Sequence, residues 1–280
     1  MYLEKKRKTV YNNTSPTERK THMKYLIFLD IDGTLLARGG VPARTKEAID
    51  EAIRRGHLVF INTGRSKGNV PFEALKGVNL TGIVAGLGSY IEMEGEVLFS
   101  HAMMKEEIAY AMQVADEVEI GLILEGEQML LNYHSELVHP LWGQNRPAVK
   151  NAEDMAQRYP ELRVSKISFT KPLTPEAVEK LATHLGVISH PTYAEVFSKG
   201  LSKATAMDFL RDRLDIANDH VIAMGDSLND VEMLRAAGIA VVMGDGHPDV
   251  LPLADFVSIA AHEGGVGQAI EKLVLKEKGR

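Results

Sequence analysis

The stretch Leu26–Leu36, LIFLDIDGTLL, constrains the fold of this chain more than any other. Four consecutive apolar residues, Leu26 to Leu29, suit a strand buried on both faces of a sheet. Asp30 is the first charge after that run, so it falls at the strand's carboxyl end, where open α/β sheets bind ligands. A carboxylate there serves as a metal ligand, a nucleophile or a helix cap. Asp32-Gly33-Thr34 equally suits a plain turn closed by a side-chain hydrogen bond to the backbone. The rest of the chain has to decide.

The same pattern recurs. Ala48, Ile49, Ala52 and Ile53 fall at helical spacing and predict a helix over 45–55, stopped by Gly56. Leu58 to Ile61 form a second buried run, followed by Asn62, Thr63 and Gly64. Strand, helix, strand at this spacing is a right-handed βαβ unit, which sets Thr63 on the sheet edge of Asp30. Thr63 also suits the cap of a helix predicted over 67–75. Farther on, Val221 to Met224 lead to Gly225 and Asp226, with Asn229 and Asp230 opening a helix. An amphipathic helix over 202–214 carries Lys203 in its first turn. The helix dipole disfavours a cation there unless solvent or an anion compensates.

Between these segments the character changes. Ile83-Val84 is a short strand, and Tyr90 to Leu98 read as a β-hairpin turning at Glu94-Gly95. Antiparallel pairing directly after a βαβ unit predicts that a smaller α+β domain begins here and occupies 84–194, leaving 23–83 and 195–280 as the main domain. Helices are expected near 105–118 and 174–184, and strands near 121–125, 128–133, 164–170 and 193–197. Residues 134–151 follow no period, yet hold His134, His139, Trp142 and Arg146, all competent to touch a substrate. A packed surface loop anchored by its tryptophan explains them equally well. Residues 1–22 are polar and basic without the apolar centre of a signal peptide, and read as a disordered extension.

Composition narrows the function. A formal net charge of -6 argues against sequence-independent nucleic-acid binding. No apolar run reaches the roughly 18 residues of a membrane span, and the absence of cysteine excludes disulfides and thiolate chemistry and fits a cytoplasmic location. Asp30, Asp32, Asp226 and Asp230 converging on one sheet edge would repel one another without a cation among them. Oxygen-only ligands favour a hard ion, Mg²⁺ above Ca²⁺ or Zn²⁺. A hydroxyl, backbone amides and a lysine beside such a metal suit a phosphoryl group, whose transfer depends on positioning and charge neutralisation. With no cysteine and no Ser–His pair, the aspartates are the nucleophile candidates.

These residues resemble the haloacid-dehalogenase-like (HAD) phosphatases. FLDIDGTLL is similar to the first motif of that family, INTGR to the second, LSKATAM to the third and MGDSLND to the fourth. The long insert between the second and third resembles the Cof-type group. The resemblance implies an α/β fold, a Rossmann-like parallel-sheet core with an inserted α+β cap. It implies Asp30 as nucleophile and Mg²⁺ ligand, Asp32 as general acid and base whose carbonyl binds the metal, and Asp226 as a direct ligand. Thr63, Gly64, Lys203 and Asn229 would hold phosphate, and Asp230 would act in the metal's outer shell or orient Lys203. P-type ATPases have threonine where this chain has Asp32, so the resemblance implies rapid hydrolysis or transfer. Two departures stand out: SKA where many relatives have SKG, and AGLGSY where relatives usually show Asn-Gly. The expected activity is Mg²⁺-dependent hydrolysis of small phosphorylated metabolites, sugar phosphates first. A phosphomutase and a non-catalytic phosphate- or partner-binding module are the alternatives. No nucleic-acid or membrane partner is expected.

Overall fold

The computed structural model describes residues 24–138, 142–143 and 145–276. The expected extension over 1–22 and His139 lie outside them. Strand β1 (Leu26–Leu29) leads through α1 (Ala43–Arg54) to β2 (Leu58–Asn62), β3 (Gly82–Ala85), β4 (Tyr90–Met93) and β5 (Glu96–Ser100). The inserted segment holds α2 (Lys105–Val118), β6 (Leu122–Gly126), β7 (Leu130–Tyr133), β8 (Ala148–Val149), α3 (Ala152–Arg158), β9 (Val164–Phe169), α4 (Pro175–Ala182), β10 (Leu185–Ser189) and β11 (Ala194–Ser198). The chain then returns through α5 (Lys203–Arg213), β12 (Val221–Gly225), α6 (Val231–Ala236), β13 (Ile239–Val242), β14 (Phe256–Val257) and α7 (Gly265–Ile270).

The main sheet has eight strands in the order β14-β13-β12-β1-β2-β3-β4-β5. β1 is central and pairs in parallel with both β12 and β2. Its side chains alternate between two cores, which is why its sequence is apolar throughout. Ile27 and Leu29 pack with residues of α1 and α7, including Ile49 and Ile270. Leu26 and Phe28 pack on the other face with Leu210 of α5 and Leu234 of α6. The second sheet, β10-β11-β9-β6-β7-β8, is largely antiparallel and belongs to the insert. Leu122, Leu124, Ile167, Phe169 and Val196 face a core shared with Met112 of α2, Met155 of α3 and Leu181 of α4. This α/β core with an inserted α+β cap is the expected architecture.

Three expectations are corrected. The hairpin β4-β5 belongs to the main sheet: β4 pairs antiparallel with β3, matching Val84 to Ile91. The change to antiparallel pairing marks that sheet's edge, so the cap begins after Ser100 and not at residue 84. On the return side, β11 pairs with β9 in the cap sheet, so the boundary follows Ser198 and not residue 194. The helix expected over 67–75 is a single 3₁₀ turn at Lys67–Asn69. Pro71 holds the preceding Val70 extended and stops it. Among the described residues no helix is long and apolar enough to cross a membrane.

Candidate active site

The parallel strands deliver their carboxyl ends to one place. Asp30 follows β1 and is 4% exposed, its amide donating to the Met224 carbonyl at 3.0 Å. Lys203, 1% exposed, opens α5 and donates from Nζ to Asp30 Oδ1 at 2.5 Å and to Asp230 Oδ1 at 2.7 Å. The anion demanded by a lysine in a first helical turn is therefore a pair of aspartates. Asp230 in turn accepts at Oδ2 from the amides of Asp226 (3.0 Å) and Ser227 (3.1 Å), which fixes its carboxylate.

Asp226 follows β12 and accepts at Oδ1 from the Thr34 hydroxyl at 2.8 Å. Beside it Gly33 takes φ +83°, and a Cβ there would stand 2.4 Å from Asp226 Oδ2. Only glycine satisfies both the left-handed backbone and that approach. Asp30, Asp226 and Asp230 each present an oxygen within 4.8 Å of the others. Burial pushes the Asp30 carboxyl up to about 7, opposed by Lys203 and reinforced by Asp230. Burial likewise raises Asp226 to about 6, against the Thr34 bond. Burial alone would lower Lys203, but Asp230 and Asp30 outweigh it and raise its pKa.

In front of Asp30 lies a cavity of about 410 Å³ between core and cap. From the core, Asp32, Thr63, Gly64 and Asn229 line it; from the cap come Trp142 and Arg146. The buried Thr63 stands one residue past β2, its hydroxyl accepting from the Arg65 amide at 3.1 Å. Asn229 accepts at Oδ1 from the Ser227 hydroxyl at 2.9 Å. His134 is not in the lining; its ring pairs with Asp116 at 2.8 Å and Glu136 at 3.1 Å.

Arg65, not singled out in the sequence, forks onto Asp32, with Nε to Oδ2 at 2.6 Å and Nη2 to Oδ1 at 2.9 Å. Also unforeseen are Glu125, Lys166, Ser168, Tyr193 and Glu195, further cap residues in the cavity wall. Their signal in the sequence is alternation: Glu125 lies opposite Lys166 and Glu195 opposite Ser168 in the sheet register, so these polar residues share one face.

Residues 27–270 match the family model described as haloacid dehalogenase-like hydrolase. The chain belongs to that family. It is a Cof-type HAD phosphatase, with its cap inserted between the second and third motifs. YkrA of Bacillus subtilis is 27% identical over 256 residues, 89% of this chain and 98% of that protein. YcsE of the same organism, a 5-amino-6-(5-phospho-D-ribitylamino)uracil phosphatase, is 28% identical over 89% of this chain and 96% of its own length. The structure of BT1666 from Bacteroides thetaiotaomicron, a HAD-superfamily phosphatase, superposes with a TM-score of 0.79 at 26% identity, covering 94% of this chain and 98% of that one.

Proposed function

We propose that this phosphatase hydrolyses monoesters of small hydroxylated metabolites, sugar phosphates first, through an aspartyl-phosphate on Asp30 with Mg²⁺ as cofactor. The observation that carries the reading is the buried Lys203 bridging Asp230 to Asp30, which lines the cavity. It leaves Asp30 held, oriented and beside its counter-charge, as a carboxylate nucleophile requires. The name of YcsE supports the substrate class, since its phosphate rides on a ribityl chain.

The donor set fits Mg²⁺. Carboxylate oxygens alone suit a hard cation, Gly33 keeps side-chain bulk away from Asp226, and a divalent ion would supply counter-charge to the Asp30 and Asp226 carboxyls, which burial first and Asp230 further raise. Asp30, Asp226 and the backbone carbonyl of Asp32 would hold it. When bound it would offset phosphoryl charge.

Asp30 attacks phosphorus, its new O–P bond forming as the bond to the leaving oxygen breaks, and Asp32 gives that oxygen a proton. Water then attacks phosphorus, Asp32 takes its proton, and the Asp30–phosphorus bond breaks to release inorganic phosphate. Thr63, the Gly64 amide and Asn229 bind phosphoryl oxygens, and Lys203 balances their charge. Asp230 fixes Lys203. Each oxygen of Asp32 accepts one bond from Arg65, which orients the carboxyl and leaves a lone pair on each oxygen to carry the proton.

A panel of sugar, alditol and aryl phosphates assayed with and without Mg²⁺ tests this. Free phosphate should appear only with the metal, and Asp30→Asn should lower turnover by on the order of a thousandfold or more. Retained Mg²⁺-dependent turnover in that variant refutes the nucleophile. An isomeric sugar phosphate in place of free phosphate makes the enzyme a phosphomutase.

A further inference from the structure

The cap sheet has an unusual second face. A sheet packed on helices along one side ordinarily turns its other, polar side to water. Here that polar side is buried: Glu125 is 3% exposed, Lys166 3%, Ser168 1% and Glu195 6%. All four line the cavity opposite Asp30. Lys166 pairs with Glu195 and stands 3.5 Å from Glu125. Glu125 also accepts from the Ser168 hydroxyl at 2.6 Å, and from Ser66 (3.2 Å) and Asn69 (3.3 Å) of the core. Burial alone would raise Glu195, but Lys166 and a bond from His190 hold it down to about 2.

Burying three charges costs desolvation, and apolar residues of similar volume generally pack such a place as well or better. Charges retained at a cavity wall mark a place where a ligand meets them. Two carboxylates offer about eight lone-pair sites against the five hydrogen bonds they accept here, and the lysine, with three donors, gives one of those five, so acceptors and donors remain for a ligand. Beside them Tyr193 stacks on His190, with ring centroids 4.0 Å apart and planes at 12°, and Trp142 stands 5.2 Å from Tyr193. One wall thus presents charged hydrogen-bonding groups next to aromatic surface.

We infer that this wall is a hydroxyl-reading subsite: Lys166 and Glu195, braced by Glu125 and Ser168, hydrogen-bond the polyol part of the leaving group while Tyr193 and Trp142 pack against its C–H surface. The inference rests on the phosphatase reading and specifies what that site selects. A phosphate ester whose carbon skeleton carries vicinal hydroxyls, as a ring or an open chain, satisfies the wall. An ester of the same length without hydroxyls leaves buried charges facing hydrocarbon and is rejected.

The test uses the full-length enzyme with Mg²⁺ and four esters: a hexose 6-phosphate, the matching hexitol 6-phosphate, hexyl phosphate and p-nitrophenyl phosphate. In the wild type, kcat/KM for at least one hydroxylated ester should exceed that for hexyl phosphate about tenfold or more. Whether ring or open chain leads identifies the form bound. In Glu195→Gln and Lys166→Met, the ratio of kcat/KM for that ester to kcat/KM for p-nitrophenyl phosphate should fall about tenfold or more. Hexyl phosphate turned over as well as both hydroxylated esters overturns the inference while leaving the phosphatase reading intact. So does an unchanged ratio in the variants, which makes the charged wall structural only. The wild-type comparison and Ser168→Ala decide the matter where the charge variants fail to fold. Release of phosphate from none of the four esters removes the phosphatase reading, and the subsite with it.

Discussion

Asp30 and Lys203 are each nearly sealed from water, and each is tolerable there because of the other. A lone ion at either place would be neutralised by a shift in its own pKa. The pairing leaves the acidic cluster short of positive charge, since one lysine donates to two aspartates while the Asp226 carboxylate accepts from the Thr34 hydroxyl. The consequence shows in stability against pH. The folded-state carboxyls of Asp30 and Asp226 are raised from 3.8 to about 7 and about 6. Between those values and the unfolded value, the folded chain binds more protons than the unfolded one, so their contribution is present at low pH and lost as pH rises. In chelator-treated protein, Asp226→Asn should therefore melt higher than wild type at pH 7.5, with the gap closing toward pH 4. Added Mg²⁺ should raise the wild-type Tm at pH 7.5 and raise that of the variant much less. Scanning calorimetry across this range reads both, and a wild type that melts higher at every pH without metal refutes the account.

At the scale of elements, helix α5 is the one on which the chemistry leans, because its first residue is Lys203. Ser202 caps it: its hydroxyl accepts from the Thr205 amide at 3.1 Å, and Thr205 Oγ1 accepts from the Ser202 amide at 2.9 Å. Ser202→Ala should cost about 1 kcal/mol of stability in urea unfolding. It should also lower kcat more than an equally destabilising change at the far end of α5, since fraying the first turn loosens Lys203 from Asp30. Equal effects on kcat at both ends would mean that the cap matters only for folding. This helix was legible in the sequence from its amphipathic spacing, and β1, β2 and β12 were legible because continuous apolar runs ending in polar residues have few other uses. The hairpin β4-β5 was legible as a hairpin but not as part of the main sheet, since its own residues do not specify the strand beside it. Pro71 lies inside the helix expected over 67–75, and the restriction it imposes on Val70 is what limits that segment to one turn.

At the scale of the whole molecule, the carboxylates of the core were readable because they follow strand ends in the chain. The wall facing them was not. Glu125, Lys166, Ser168 and Glu195 sit at alternate positions that would meet solvent in a free sheet, and no local pattern tells that a second domain covers them. Trp142 and Arg146 were found through their residue types alone, the same signal that pointed to His134, which turns instead to Asp116. Glu125 joins the two halves. Its Oε2 accepts from Ser66 and Asn69, on the same loop that carries Thr63 and Arg65, so seating of the cap and placement of the phosphate loop are coupled. Each bond to a charged acceptor is worth about 1.5 to 3 kcal/mol, comparable to the free energies that separate open and closed domain arrangements. The double variant Ser66→Ala with Asn69→Ala should shift the population toward an open cap. Small-angle scattering should then give a larger radius of gyration than the wild type, and KM for the preferred hydroxylated ester should rise about tenfold while the melting temperature of the core changes little. A radius and KM equal to those of the wild type would show that the cap is held by its other contacts, and that Glu125 serves the substrate wall alone.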